Sequence, residues 1–122
     1  MKRIIGIGNA LVDALATLHS DHSLETFGLP KGSMTLIGDD EQIRIQQHFA
    51  TLDVERATGG SAGNTMLALA HLDVKPGFIG TIGNDETGAF FSDNCTRMGI
   101  TPYLTRLPQQ SGIAYTFISP DG

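Results

Sequence analysis

The run Thr58-Gly59-Gly60-Ser61-Ala62-Gly63-Asn64 constrains this chain more than any other stretch, because it joins a short strand-like segment to the apolar helical segment Thr65 to Leu72. Glycine-rich junctions of this kind occur where strands and helices alternate. Paired glycines lack Cβ, so the backbone can take φ > 0 and a ligand can approach the main chain closely. Ser61 stands where an N-cap is expected, which leaves the first N–H groups of the helix pointing outward. Asn64, about one turn in, offers a carboxamide acceptor and two donors, the chemistry that reads a hydroxyl. Two readings stay open on these residues alone: a structural strand-to-helix junction, or a grip on a polyol.

The segment Arg3 to Gly8 has the apolar, β-branched content of a buried parallel strand and runs directly into Asn9-Ala10-Leu11-Val12-Asp13. In open parallel sheets the ligand crevice lies outside the carboxyl ends of the strands. Asn9 and Asp13 are therefore expected to face Gly59, Gly60 and Asn64 across such a crevice. An ionised Asp13 accepts from two neighbouring hydroxyls at once, having two oxygens and no donor; a turn or capping aspartate is the other reading.

Along the rest of the chain the pattern predicts an extended piece over Ala14 to His19, a short helix around Leu24 to Phe27 and a strand over Ser33 to Ile37. A helix is expected over Asp39 to Leu52, with either Ile43, Gln47 and Ala50 or Ile45, Phe49 and Leu52 inward. Core strand Val54 to Thr58 follows, then helix Ser61 to Leu72 with Met66, Leu69 and Ala70 facing the sheet. Strand Gly77 to Thr81, helix Glu86 to Met98, strand Tyr103 to Leu107 and strand Gly112 to Ser119 complete the order. The alternation predicts an α/β fold, a parallel central sheet flanked by helices. Three extended pieces, at 14–19, 33–37 and 113–119, fall outside that rhythm.

Composition narrows the classes. A length of 122 residues suits one domain, and 40% apolar content suffices for a core. The net charge of −5 argues against nucleic acid or an anionic membrane as partner, since both demand clustered Lys and Arg. No apolar run approaches the roughly 20 residues that span a bilayer, and Met1-Lys2-Arg3 is followed by glycines instead of a signal-peptide core, so a cytoplasmic location is expected. Cys95 is expected to be a small buried thiol in its helix. His19 and His22 flank Asp21 without a further ligand at binding spacing, so no metal site is expected. A Gly-x-x-x-x-Gly-Lys-Ser/Thr phosphate loop is missing, and Gly6-x-Gly8 lacks the third glycine of a dinucleotide fingerprint.

Four segments then resemble one family in its order: Gly6-Ile7-Gly8-Asn9-Ala10-Leu11-Val12-Asp13, Phe27-Gly28-Leu29-Pro30-Lys31-Gly32-Ser33-Met34-Thr35-Leu36-Ile37, the Thr58 to Asn64 turn, and Gly80-Thr81-Ile82-Gly83-Asn84-Asp85-Glu86-Thr87-Gly88. Together they resemble the N-terminal half of PfkB-type carbohydrate kinases of the ribokinase/adenosine kinase superfamily, closer to the adenosine-kinase-like branch. The resemblance implies a ribokinase-like fold, residues 1–122 forming the N-terminal portion of one kinase domain, with 14–19, 33–37 and 113–119 in a small β-sheet lid over the acceptor. It also implies that Asn9, Asp13, Gly59, Gly60 and Asn64 bind a sugar or nucleoside, that ATP and Mg2+ are the cofactors, and that the lid is a candidate homodimer contact. Gly80 to Gly88 is expected to be a structural strand-to-helix turn.

In that family the catalytic aspartate belongs to a Gly-Ala-Gly-Asp element further along, together with most of the ATP site. This chain reaches Gly122 before any such element. The expectation is that the 122 residues alone are inactive, with no catalytic residue among them; Asp85, Asp93 and Asp13 qualify as bases by residue type only. The alternative function is a non-enzymatic sugar-binding or interaction module of the same fold.

Overall fold

A computed structural model describes residues 2–122. The element order is β1 (Ile5–Ile7), β2 (Leu11–Thr17), α1 (His22–Phe27), α2 (Asp39–Phe49), β3 (Val54–Gly59), α3 (Ser61–His71), β4 (Gly77–Gly83), α4 (Glu86–Arg97), β5 (Thr101–Leu107) and β6 (Gly112–Ile118). The chain divides into two compact units, Met1–Asp13 with Ala57–Ala114, and Ala14–Arg56 with Tyr115–Gly122.

The first unit holds a parallel sheet in the order β1-β4-β5, with Ile7 paired to Ile79 and Ile79 to Tyr103. Alternation along β4 sends Phe78 and Ile82 to one face, where they meet Met66 of α3 and Phe91 and Cys95 of α4 in a single core. Apolar burial of that extent is the main stabilising term of the unit. Two glycines set how closely α3 can lie on β1: a Cβ at Gly6 would meet Met66 Cγ at 2.8 Å, and one at Gly8 would meet Ala62 Cβ at 2.8 Å. The opposite face of the sheet carries Ile5, Ile7, Ile79 and Tyr103, all exposed.

In the second unit, Ile45 and Phe49 are the buried row of α2, while Ile43 is exposed. Phe49 meets Tyr115 and Phe117 edge to face, both at 4.9 Å between centroids. Asp39, Asp40 and Glu41 complement the positive end of the α2 dipole. Ser23 and His48 Nε2 lie 2.8 Å apart, and Gly28 closes α1 in the left-handed region at φ 62°.

Three expectations are corrected. Ser33 to Ile37 forms no strand: Ser33 Oγ donates back to the Pro30 carbonyl after Gly32 at φ 68°, and Met34 and Leu36 stand fully in solvent with no sheet to pack on. Val54–Gly59 is not a strand of the parallel sheet but joins a second one in the order β3-β2-β6. Its exposed Glu55 and Arg56 explain why, since a strand covered on both faces reads as a continuous apolar run. The extended piece expected from Ala14 starts at Leu11, so Asp13 lies within β2 and not in the turn before it.

Candidate functional site

Strand alternation fixes the direction of Asp13. Val12, Ala14 and Ala16 are buried on one face of β2, so Leu11 and Asp13 share the other. That face meets the end of β3. A Cβ at Gly59 would lie 2.5 Å from Asp13 Oδ2 and 2.8 Å from both Cγ and Oδ1, so the carboxylate rests directly on the glycine α-carbon. Any larger residue would displace it. Among the described residues the Asp13 carboxylate has no hydrogen-bond donor and no ion pair.

Gly60 is the neighbouring contact. Its φ of 82° lies where L side chains are strained, and a Cβ there would come 2.9 Å from the Asn9 carbonyl and 3.7 Å from Leu11 Cβ. The expected cap is corrected here: Gly60, not Ser61, is the N-cap of α3, and no side chain accepts from the first turn. Gly60 supplies the first helical acceptor through its carbonyl, 2.9 Å from the Asn64 N–H. The N–H groups of Ser61, Ala62 and Gly63 are therefore left at the positive end of the helix dipole without a side-chain cap. Asn64 follows one turn in, with an exposed side chain.

The first unit thus brings together four of the residues singled out by sequence: Asp13 on Gly59, and the Asn9 backbone on Gly60; Asn64 stands in the helix that begins there. Among the described residues the arrangement offers unclaimed carboxylate acceptors and uncapped backbone donors, a set to which hydroxyl groups can both donate and accept. Sequence reasoning missed Leu11, whose side chain would meet a Cβ at Gly60 at 3.7 Å and, through Cδ1, one at Gly112 at 3.3 Å. The alternation that buries Val12 and Ala14 is the signal that would have found it.

Asp85 has a different role from the base its residue type suggests. Its Oδ1 accepts from the Gly88 N–H at 2.7 Å and from Ser111 Oγ at 2.6 Å, and its Oδ2 accepts from the Ser111 N–H at 2.8 Å. Burial acts to raise its pKa, but the hydrogen bonds from Ser111 and Gly88 outweigh it and hold the carboxyl below its ordinary 3.8. Both oxygens are engaged in capping α4 and gripping the start of β6. Buried Ser111 was not singled out from sequence and completes the knot, accepting from the Gly83 N–H at 2.8 Å. No group of three or more His, Cys, Asp or Glu side chains gathers among the described residues.

A sequence profile described as pfkB family carbohydrate kinase matches residues 21–122. The adenosine kinase of Sinorhizobium meliloti is 30% identical and superposes with a TM-score of 0.76, over 98% of this chain and 36% of that one. The adenosine kinase of Anopheles gambiae, 20% identical, shares the fold with a TM-score of 0.82 over 98% of this chain and 39% of that one. An ATP-dependent ribose-1-phosphate kinase of Halopiger xanaduensis is 33% identical over 66 residues, 52% of this chain and 22% of the relative. The chain therefore spans 22–39% of the length of these proteins, and its α/β architecture is ribokinase-like.

Proposed function

Because the chain belongs to the pfkB family of carbohydrate kinases, we propose that it forms the acceptor-binding side of an ATP-dependent kinase that phosphorylates a hydroxyl of a nucleoside or sugar. The observation that supports this is the unpartnered Asp13 carboxylate resting on Gly59, beside the uncapped start of α3. Adenosine and ribose 1-phosphate, the acceptors in the names of two relatives, share a ribose ring with neighbouring hydroxyls. Asp13 accepts from such a pair; Gly59 and Gly60 let the ring approach the backbone; Asn64 adds a donor and acceptor from α3.

Phosphoryl transfer is mostly positioning of the acceptor oxygen and stabilisation of charge on the moving phosphate. The residues here serve the first task. ATP with Mg2+ supplies the phosphoryl group and the compensating charge when bound, and the Asp85 carboxylate, with both oxygens engaged, is not free to act as base. The 122 residues by themselves are accordingly expected to be inactive in phosphoryl transfer.

Calorimetric titration of adenosine into the full-length protein and its Asp13→Ala variant tests the reading. Loss of a charged hydrogen-bond partner from a site that ligand desolvates should weaken binding by about 2–4 kcal/mol. Equal affinity in the two proteins would refute it.

A further inference from the structure

We propose that α4 is a brace for the acceptor site, with Asp85 positioning the strand that carries Asp13 and Asn94 positioning the glycine pair. The inference rests on the acceptor-site reading above and assigns work to the Gly80 to Gly88 segment, which that reading leaves unused.

Two linkages carry it, both inside the first unit. At the N-terminus of α4, the Asp85 carboxylate holds Ser111 by its N–H and its hydroxyl, and Ser111 Oγ also accepts from the Gly83 N–H. The next residue, Gly112, opens β6, whose neighbour in the sheet is β2. A Cβ at Gly112 would lie 3.3 Å from Leu11 Cδ1 and 3.5 Å from the Ala10 carbonyl, so the start of β6 is packed on the start of β2. Leu11 in turn lies where a Cβ at Gly60 would meet it at 3.7 Å, and it shares its face with Asp13. Fixing Ser111 therefore fixes the register of the strand that presents the carboxylate.

Further along the same helix, Asn94 Nδ2 donates to Thr58 Oγ1 at 3.1 Å, and Arg97 holds the carboxamide oxygen of Asn94 from the next turn. Thr58 immediately precedes Gly59 and Gly60. One helix thus grips both flanks of the candidate site, through residues other than the five assigned to the acceptor.

The knot leaves little slack. A Cβ at Gly83 would strike the Gln109 carbonyl at 2.2 Å, and one at Gly88 would lie 2.6 Å from the Gly83 carbonyl. Close packing of backbone on backbone transmits displacement instead of absorbing it.

The decisive variant is Asp85→Asn, because asparagine caps helices about as well as aspartate. A role confined to capping α4 predicts little change. The brace predicts a large one: with the amide oxygen turned to Gly88 and Ser111 Oγ, the NH2 faces the Ser111 N–H, donor against donor. In the full-length protein, adenosine and a non-hydrolysable ATP analogue are titrated separately into wild type, Asp85→Asn, Asn94→Ala, Asp13→Ala and the Asp85→Asn/Asp13→Ala double variant. Asp85→Asn is expected to weaken adenosine binding at least tenfold while changing the ATP analogue less than twofold, and to add less than twofold in the Asp13→Ala background. Equal losses for both ligands, or additive losses in the double variant, overturn the brace. Should Asp85→Asn not fold, Ser111→Ala removes only the hydroxyl link, and an unchanged adenosine affinity in it overturns the brace as well. Asp13→Ala weakened with Asp85→Asn and Asn94→Ala unaffected refutes the brace alone; Asp13→Ala at wild-type affinity, or a wild type that binds neither adenosine nor, titrated in its place, ribose, removes the acceptor-site reading on which it stands.

Discussion

Replacing Gly59 by alanine isolates the contact on which the candidate site depends. Gly59 is not among the positive-φ glycines, so alanine there brings one methyl group without backbone strain. That methyl would lie 2.5 Å from Asp13 Oδ2 and 2.8 Å from Cγ, whereas ordinary contact begins at 3.4 Å. The carboxyl carbon must therefore retreat by about 0.6 Å and the nearer oxygen by about 0.9 Å, which a χ1 rotation of Asp13 achieves at a cost of roughly 0.5–1.5 kcal/mol. Folding stability should fall by no more than that. Acceptor binding should suffer more, because charge-assisted hydrogen bonds are short and directional, and losing one is worth about 1.5–3 kcal/mol, or roughly 10- to 150-fold in affinity. Chemical denaturation and calorimetry on wild type, Gly59→Ala, Asp13→Ala and the double variant separate the two effects. Without the carboxylate there is nothing for the methyl to displace, so Gly59→Ala should have almost no effect in the Asp13→Ala background. Full additivity of the two substitutions, or wild-type affinity in Gly59→Ala, would show that Asp13 does not work through its seat on Gly59.

Gly60→Val combines a strained φ with a 2.9 Å approach to the Asn9 carbonyl; it should cost about 1–3 kcal/mol of stability and abolish detectable acceptor binding, and a variant that binds normally would remove the close-approach argument. Burial pushes the Cys95 thiol up to about 11, so at neutral pH almost none of it is thiolate. Labelling by a disulfide reagent should await unfolding; rapid reaction of the native protein would contradict the burial of Cys95. Asp85 has a lowered native pKa, so its contribution is complete above its unfolded value near 3.8 and is lost as pH falls through the lower native one. The stability difference between wild type and Asp85→Asn should therefore be flat from pH 5 to 7 and shrink below about pH 4, whereas a difference that grows on acidification would reverse the assigned sign.

Much of this was legible because the informative residues are those with few alternatives. Gly59 and Gly60 signalled close approach, and the structure gives each a distinct neighbour, Asp13 for one and the Asn9 carbonyl for the other. Periodicity turned Met66 toward the sheet, residue type alone marked Cys95 as buried, and Ile45 with Phe49 proved the inward row of α2. Sheet membership was harder, since it depends on which strands pair and not on local propensity. Val54 to Thr58 looks like the strand of a βαβ unit because a helix follows it, yet Glu55 and Arg56 already argue for a sheet with a wet face. Ser33 to Ile37 alternates as a strand should, but alternation confers nothing where no neighbour covers Met34 and Leu36. The Asp85 to Ser111 knot joins residues 26 apart, a separation no spacing rule anticipates.

The two helix N-termini of the first unit explain why one is a candidate site and the other is not. At α4 the Asp85 side chain accepts from the first turn and from Ser111, so the carboxylate and the end of the helix satisfy one another and offer nothing to a ligand. At α3 the capping position is Gly60, which has no side chain to accept from the first turn. The Asp13 carboxylate lies instead against Gly59, without a hydrogen bond of its own among the described residues. Moving Asp13 into the cap would satisfy both groups and erase the separation between acceptor and donors. The sequence instead puts glycine at the cap and seats the carboxylate one residue away, so the proposed acceptor, carrying its own donors and acceptors, has both groups to engage.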